Sequence, residues 1–150
     1  MASSAAGLQK DDTGSAVVEF VWLGLLLLVP LIYLVLCVMR VQAAAFAVTE
    51  AARAAGRAYA QADSTSVGLT RARAAAGIAV ADQGFTLTTG SLRITCRLGA
   101  CLTPGSIVDV RVQLNVALPL VPRVLAGASA TTIPISALHS ERIDVYRRWP

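Results

Sequence analysis

The sequence predicts an α+β fold: a long amino-terminal helix that crosses a membrane and continues outward, a second short helix, and a small antiparallel sheet. Three observations predict it. Phe20 to Met39, FVWLGLLLLVPLIYLVLCVM, is a run of twenty residues without a charge. At ~1.5 Å per residue it is long enough to cross about 30 Å of hydrocarbon. An alanine-rich stretch with helical spacing follows directly, and further along the apolar period changes from that of a helix to that of a strand.

The spanning segment is too long for the apolar core of a secretory signal peptide, and Arg40-Val41-Gln42 follows it without an A-x-A-like cleavage site. It is therefore read as an anchor that stays attached. Residues 1–14, MASSAAGLQKDDTG, are small and polar and form an unstructured leader. Residues 15–62 are read as one helix, with the membrane span at about 20–39 and a bend or loosening at Pro30, whose ring removes the amide bond to Leu26.

Beyond the membrane, Val41, Ala45, Val48, Ala52, Ala55 and Tyr59 share one face, with Glu50, Arg53, Arg57 and Gln61 opposite. Alanine has the best intrinsic helix propensity, but a stripe built of it buries little area alone, so it needs a sheet or another chain to pack against. Asp63-Ser64-Thr65-Ser66 breaks this helix. Val67 to Asp82 forms a second one, with Val67, Ala74, Ala75, Ile78 and Ala81 on its apolar side and Gly84 placed to end it.

Strand patterning follows. Leu92, Ile94, Cys96 and Leu98 alternate with Arg93, Thr95 and Arg97, and Val108, Val110, Val112, Leu114 and Val116 alternate with Asp109, Arg111, Gln113 and Asn115. Phe85 to Thr89 is a first hairpin arm. Thr131 to Ala137 and Arg142 to Tyr146 are weaker strands, the former an edge because Pro134 cannot donate to a ladder. Residues 67–146 thus form one small domain.

Composition narrows the function. The chain has 150 residues, 55% of them hydrophobic and 15% charged, too apolar for a disordered tail. Its thirteen basic residues give a net charge of +4 but are scattered, and aromatics are only 5%, so there is no clustered, stacking surface for nucleic acid. No glycine loop cradles a phosphate, and no cofactor motif is present. Cys96 and Cys101 with the lone His139 are not a zinc signature. A serine, His139 and Asp144 lie close in sequence but without a strand-turn-helix nucleophile signal, so His139 is read as a surface histidine and the chain as no enzyme. Cys96 and Cys101 either remain separate thiols or, if this half lies outside the membrane, close a disulfide across a hairpin around Gly99. Cys37, in the spanning helix, is out of reach of both.

Glu19 is the residue that asks for an explanation. One reading has it at headgroup level, snorkelling to water near the positive end of the helix dipole. The other notes that a carboxylate at hydrocarbon depth costs ~2.5 to 3.5 kcal/mol and needs a cation. Cutting after Gly14 would create one, the α-amino group of Ser15, four positions away along the helix.

Gly14 followed by Ser15-Ala16-Val17-Val18-Glu19-Phe20 resembles the cleavage motif of type IV pilin-like proteins: a glycine, a glutamate as fifth mature residue, then an aromatic. Ala51-Ala52-Arg53-Ala54-Ala55-Gly56-Arg57-Ala58 is similar to the stretch after the membrane helix in TadE-like proteins of tight-adherence (Flp-type) pilus systems, and Pro104-Gly105-Ser106-Ile107-Val108-Asp109-Val110 is similar to a downstream strand of that family. The resemblance implies a minor pseudopilin processed after Gly14 by a prepilin peptidase, with Gly14, Ser15, Glu19 and Phe20 as the processing site. The implied partners are membrane lipid, the peptidase, and other pilin or pseudopilin subunits with their assembly machinery. Glu19 would pair with the amino terminus of its own or a neighbouring subunit.

The rival reading is a single-pass protein whose outer domain binds a partner without assembling. Only the first reading requires cleavage at Gly14. Arg40, Arg53 and Arg57 after the span would, by the positive-inside rule, put the carboxyl-terminal half in the cytoplasm. The resemblance implies the opposite: an amino terminus that is cytoplasmic before processing and an extracytoplasmic domain. That orientation is the expectation adopted here.

Overall fold

A computed structural model describes residues 13–97, 99–119 and 132–146. In chain order these form helices α1 (Thr13–Ala60) and α2 (Thr65–Asp82) and strands β1 (Leu92–Cys96), β2 (Ile107–Ala117) and β3 (Thr132–Arg142). The strands make one antiparallel sheet in the order β1-β2-β3. Two compact units meet between Leu36 and Cys37.

The amino-terminal unit is the apolar part of α1. This helix is 48 residues long and runs unbroken through Pro30 and past Met39, matching the single helix read from residues 15–62. Its large apolar side chains from Val17 to Met39 are exposed, apart from half-buried Tyr33. A helix this long, apolar and unburied is able to cross a membrane. Of the leader, residues 1–12 lie outside the described residues, while Thr13 and Gly14 are already helical.

The second unit is built on close approach. On α1, Val48, Ala52, Ala55 and Tyr59 of the predicted face are buried, Val41 is half-buried and Ala45 is exposed, while Ala44, Ala47 and Ala51, outside that face, are buried too. Ala47, Val48, Ala51, Ala52, Ala55 and Tyr59 join Val108, Val110, Val112 and Leu114 of β2 in one core cluster. Gly56 marks a close helix-to-sheet approach, since a Cβ there would lie 3.2 Å from the His139 ring and 3.4 Å from Glu141 Cβ. Alanine and glycine allow this because nothing beyond Cβ separates the helix backbone from the sheet.

The second helix begins and ends on specific caps. Ser64, in extended conformation, accepts the Val67 amide on its side chain. At the other end Gly84 takes φ 72, and the Gly84 and Phe85 amides donate to Ala81 and Val80 at 2.8 and 3.1 Å. This Schellman arrangement needs the left-handed conformation that glycine adopts freely.

Its buried face, however, differs from the one the sequence suggested. Gly68, Ala72, Ala76 and Val80 are buried, while Val67, Ala74, Ile78 and Ala81 are exposed. The reason is Tyr59: a Cβ on Gly68 would come within 2.9 Å of its ring. Beside Tyr59 only a residue without a side chain fits, and Val67 and Ile78 are turned outward. Burial pushes the Tyr59 phenol up, opposed by its hydrogen bond with Thr65.

Two strand expectations also change. Phe85 to Thr89 is not a strand; Phe85 and Leu87 pack against the core while the chain turns at Thr88 to Ser91, and the ladder starts where the Gln113 amide donates to Ser91. Alternation there reflects packing alone. The strand read at residues 131–137 extends as β3 to Arg142, residue 131 lying outside the described residues, and Pro134 does lie on an edge; the strand read at 142–146 is not formed beyond Arg142. Ile143, after it, is fully buried and its amide bonds to Ser106, so residues 143–146 leave the sheet. Leu98 lies outside the described residues.

Gly68 and Gly77 provide a paired test of this packing. Gly77 has open space around its Cα, so Gly77→Ala should stabilise the second unit by up to about 1 kcal/mol through helix propensity. Gly68→Ala should destabilise it by about 1–3 kcal/mol through overpacking against Tyr59. Urea unfolding of the full chain in detergent, followed by tyrosine fluorescence, would measure both signs.

Candidate functional site

The residues singled out for processing fall in the first turns of α1. Gly14 and Ser15 are in its first turn, where the amide groups have no carbonyl within the helix to bond. Ser15 and Glu19 are four positions apart along the helix, an axial distance of about 6 Å. Glu19 is exposed, and among the described residues no hydrogen bond or ion pair reaches it. Phe20 is 74% exposed and begins the apolar surface. The arrangement is thus an unpartnered carboxylate at the start of an apolar helix, one turn from the backbone position at which a cut after Gly14 would leave an amine.

In the second unit, Cys96 and Cys101 form a disulfide with Cα atoms 5.1 Å apart. Gly99, at φ 58, turns the chain between them. The loop that follows is tied down by its own backbone: the Arg97 amide donates to Ile107, Ser106 Oγ to Cys101, and the Gly105 amide to Ile143. Cys37 is a free thiol.

The outward face of the sheet carries a polar network. Arg97 Nε and Nη2 donate to the two carboxylate oxygens of Asp109 at 2.7 and 3.0 Å, and Ser140 Oγ donates to Asp109 at 2.5 Å. The hydrogen bonds from Arg97 and Ser140 hold the Asp109 carboxyl below its ordinary value. Sequence alternation put Arg97 and Asp109 on one face but gave no sign that Ser140 would join them.

His139 is not the surface residue expected. It is half-buried on the helix-facing side of β3, opposite Val110, against Gly56, with Nε2 3.0 Å from Glu141 Oε2. The strand alternation that places His139 and Glu141 on one face brings them together, and it sends Ser140 to the other. The candidate serine, His139 and Asp144 set is therefore not assembled. No three metal-ligating side chains cluster among the described residues.

A contact absent from the sequence reading links Arg40 to the α2 cap: its guanidinium lies 4.2 Å from the centre of the Phe85 ring. No family model matches this chain, and neither a curated protein nor a solved structure does.

Two outcomes follow from these links. A thiol count on the oxidised, denatured chain should find Cys37 alone reactive, and Cys96→Ser with Cys101→Ser should lower stability by about 2 kcal/mol, the loop-closure contribution of so short a ring. Asp109 should add stability that is present above its unfolded value near 3.9 and is lost as pH falls through the lower folded value. Urea midpoints from neutral pH to about pH 3 should therefore fall less for Asp109→Asn than for the native chain, and parallel curves would show that the pair contributes nothing.

Proposed function

We propose that this protein is a minor pseudopilin, a subunit that is built into, or primes, a tight-adherence type IV-like pilus or secretion assembly, after a prepilin peptidase cleaves its leader following Gly14. One observation carries the reading: Glu19 stands exposed and unpartnered at the start of a long unburied apolar helix, one turn from the amide of Ser15. Cleavage would place a cation at that turn, on this chain or on a neighbour, and the pair would fix the axial register of helices packed side by side in lipid, where an unpaired carboxylate is costly.

Three further features support it. The apolar segment is part of one unbroken helix, Thr13–Ala60. The head carries no assembled catalytic set among the described residues. Its disulfide fits an oxidising compartment, hence a head outside the cell membrane and an amino terminus that starts inside.

The test separates processing from assembly. Amino-terminal sequencing of the protein from its native cell should find Ser15 as the first residue. Gly14→Val should leave the leader attached, because the peptidase must bind the backbone closely at a residue without a side chain. Glu19→Ala should still be cut but should enter assemblies poorly. An unprocessed terminus in the native protein would overturn the pseudopilin reading and leave an anchored binding module.

A further inference from the structure

The face that α2 turns outward has a counterpart on the far side of the head. Between α1 and α2 lies a groove of ≈ 620 Å³, opening on the side of the helix pair turned away from the sheet. Phe46 and Ile78 line it, 70% and 66% exposed, and Glu50 and Asp82 stand beside them, each one helical turn further along its own helix. Arg53 also lines it, so two carboxylates face one guanidinium. Among the described residues no ion pair reaches Glu50 or Asp82.

The outward face of the sheet carries the complementary pattern. Arg93 of β1 lies directly opposite Arg111 of β2, and Arg111 directly opposite Leu138 of β3, so two arginines and a 55% exposed leucine form one row across the three strands. Like charges directly opposite each other across a ladder destabilise a sheet. Neither Arg93 nor Arg111 has an ion-pair partner among the described residues, whereas Arg97 on the same face is neutralised by Asp109.

We infer that the groove receives this row from a second copy of the chain. Leu138 of one copy enters between Phe46 and Ile78 of the next, while Arg111 and Arg93 meet Glu50 and Asp82. The contact relieves a like-charge pair, covers two exposed apolar side chains, and gives both carboxylates cations. Because the two surfaces differ and lie on opposite sides of one head, the interface is heterologous, and its repetition gives an open row of subunits. The inference rests on the assembly reading for the expectation that copies meet in one membrane.

The test is charge exchange in the full chain carried in nanodiscs or detergent, with self-association measured by sedimentation. A groove variant, Glu50→Arg with Asp82→Arg, sets cations against cations. A sheet variant, Arg93→Glu with Arg111→Glu, sets anions against anions. Each alone should weaken self-association by at least about tenfold, and their equal mixture should recover it, because every contact in the mixture is again between opposite charges. Ile78→Ser, which alters no charge, should also weaken it. Retention of the Cys96–Cys101 disulfide and of the unfolding midpoint would show that the variants are folded.

A monomeric native chain, or folded variants whose mixture does not recover, would overturn the inference; in the first case the groove would belong to a different protein. The same measurement on Gly14→Val, which retains the leader, keeps the two proposals apart. Recovery in a protein whose native terminus is Met1 would preserve the contact and remove the pseudopilin reading. A Ser15 terminus without recovery would do the reverse.

Discussion

The structure depends on how closely backbones approach in the second unit. The alanine face of α1, with Gly56, lies against the valine row of β2, and the glycine-alanine face of α2 packs beside Tyr59. Small side chains bury little apolar area each, so such a core is stable only if many of them meet at close range and leave few voids. Close approach also has a selective consequence. Larger side chains enter the contact only at particular positions, Val48, Tyr59 and Val80 among them, whereas Phe46 and Ile78 face outward.

Arg40 is the first charge after the uncharged run, and it stacks on Phe85 at the α2 cap. The disulfide and the backbone bonds from Gly105 and Ser106 to Ile143 hold the other end of the sheet, where a short β1 alone gives few ladder bonds.

Charge is distributed in the same economical way. Asp109 engages Arg97 and Ser140 on the outward face, and Glu141 engages His139 on the inward one, where the strand runs under Gly56. Among the described residues, the charged groups outside any ion pair include Glu19 at the helix start, Glu50 and Asp82 in the helix groove, and Arg93 with Arg111 across the sheet. A small head has little interior in which to satisfy charges, so unpaired ones collect on surfaces where neighbouring molecules can meet them.

Local chemistry made much of this legible in advance. The uncharged run, the alanine spacing, the strict alternation of β2, the serine before α2 and the glycine after it each act within a few residues, so the sequence by itself determined the helix, its continuation, the central strand and the caps. The cysteine pair was legible for the same reason. What only tertiary structure decided depends on partners distant in the chain. Which face of α2 is buried was decided by the room beside Tyr59, whether Phe85 to Thr89 joins the sheet by the cap before it, and the place of His139 by the nearness of Gly56. Apolar residue types alone could not rank those faces, because in contacts this close size outweighs hydrophobicity.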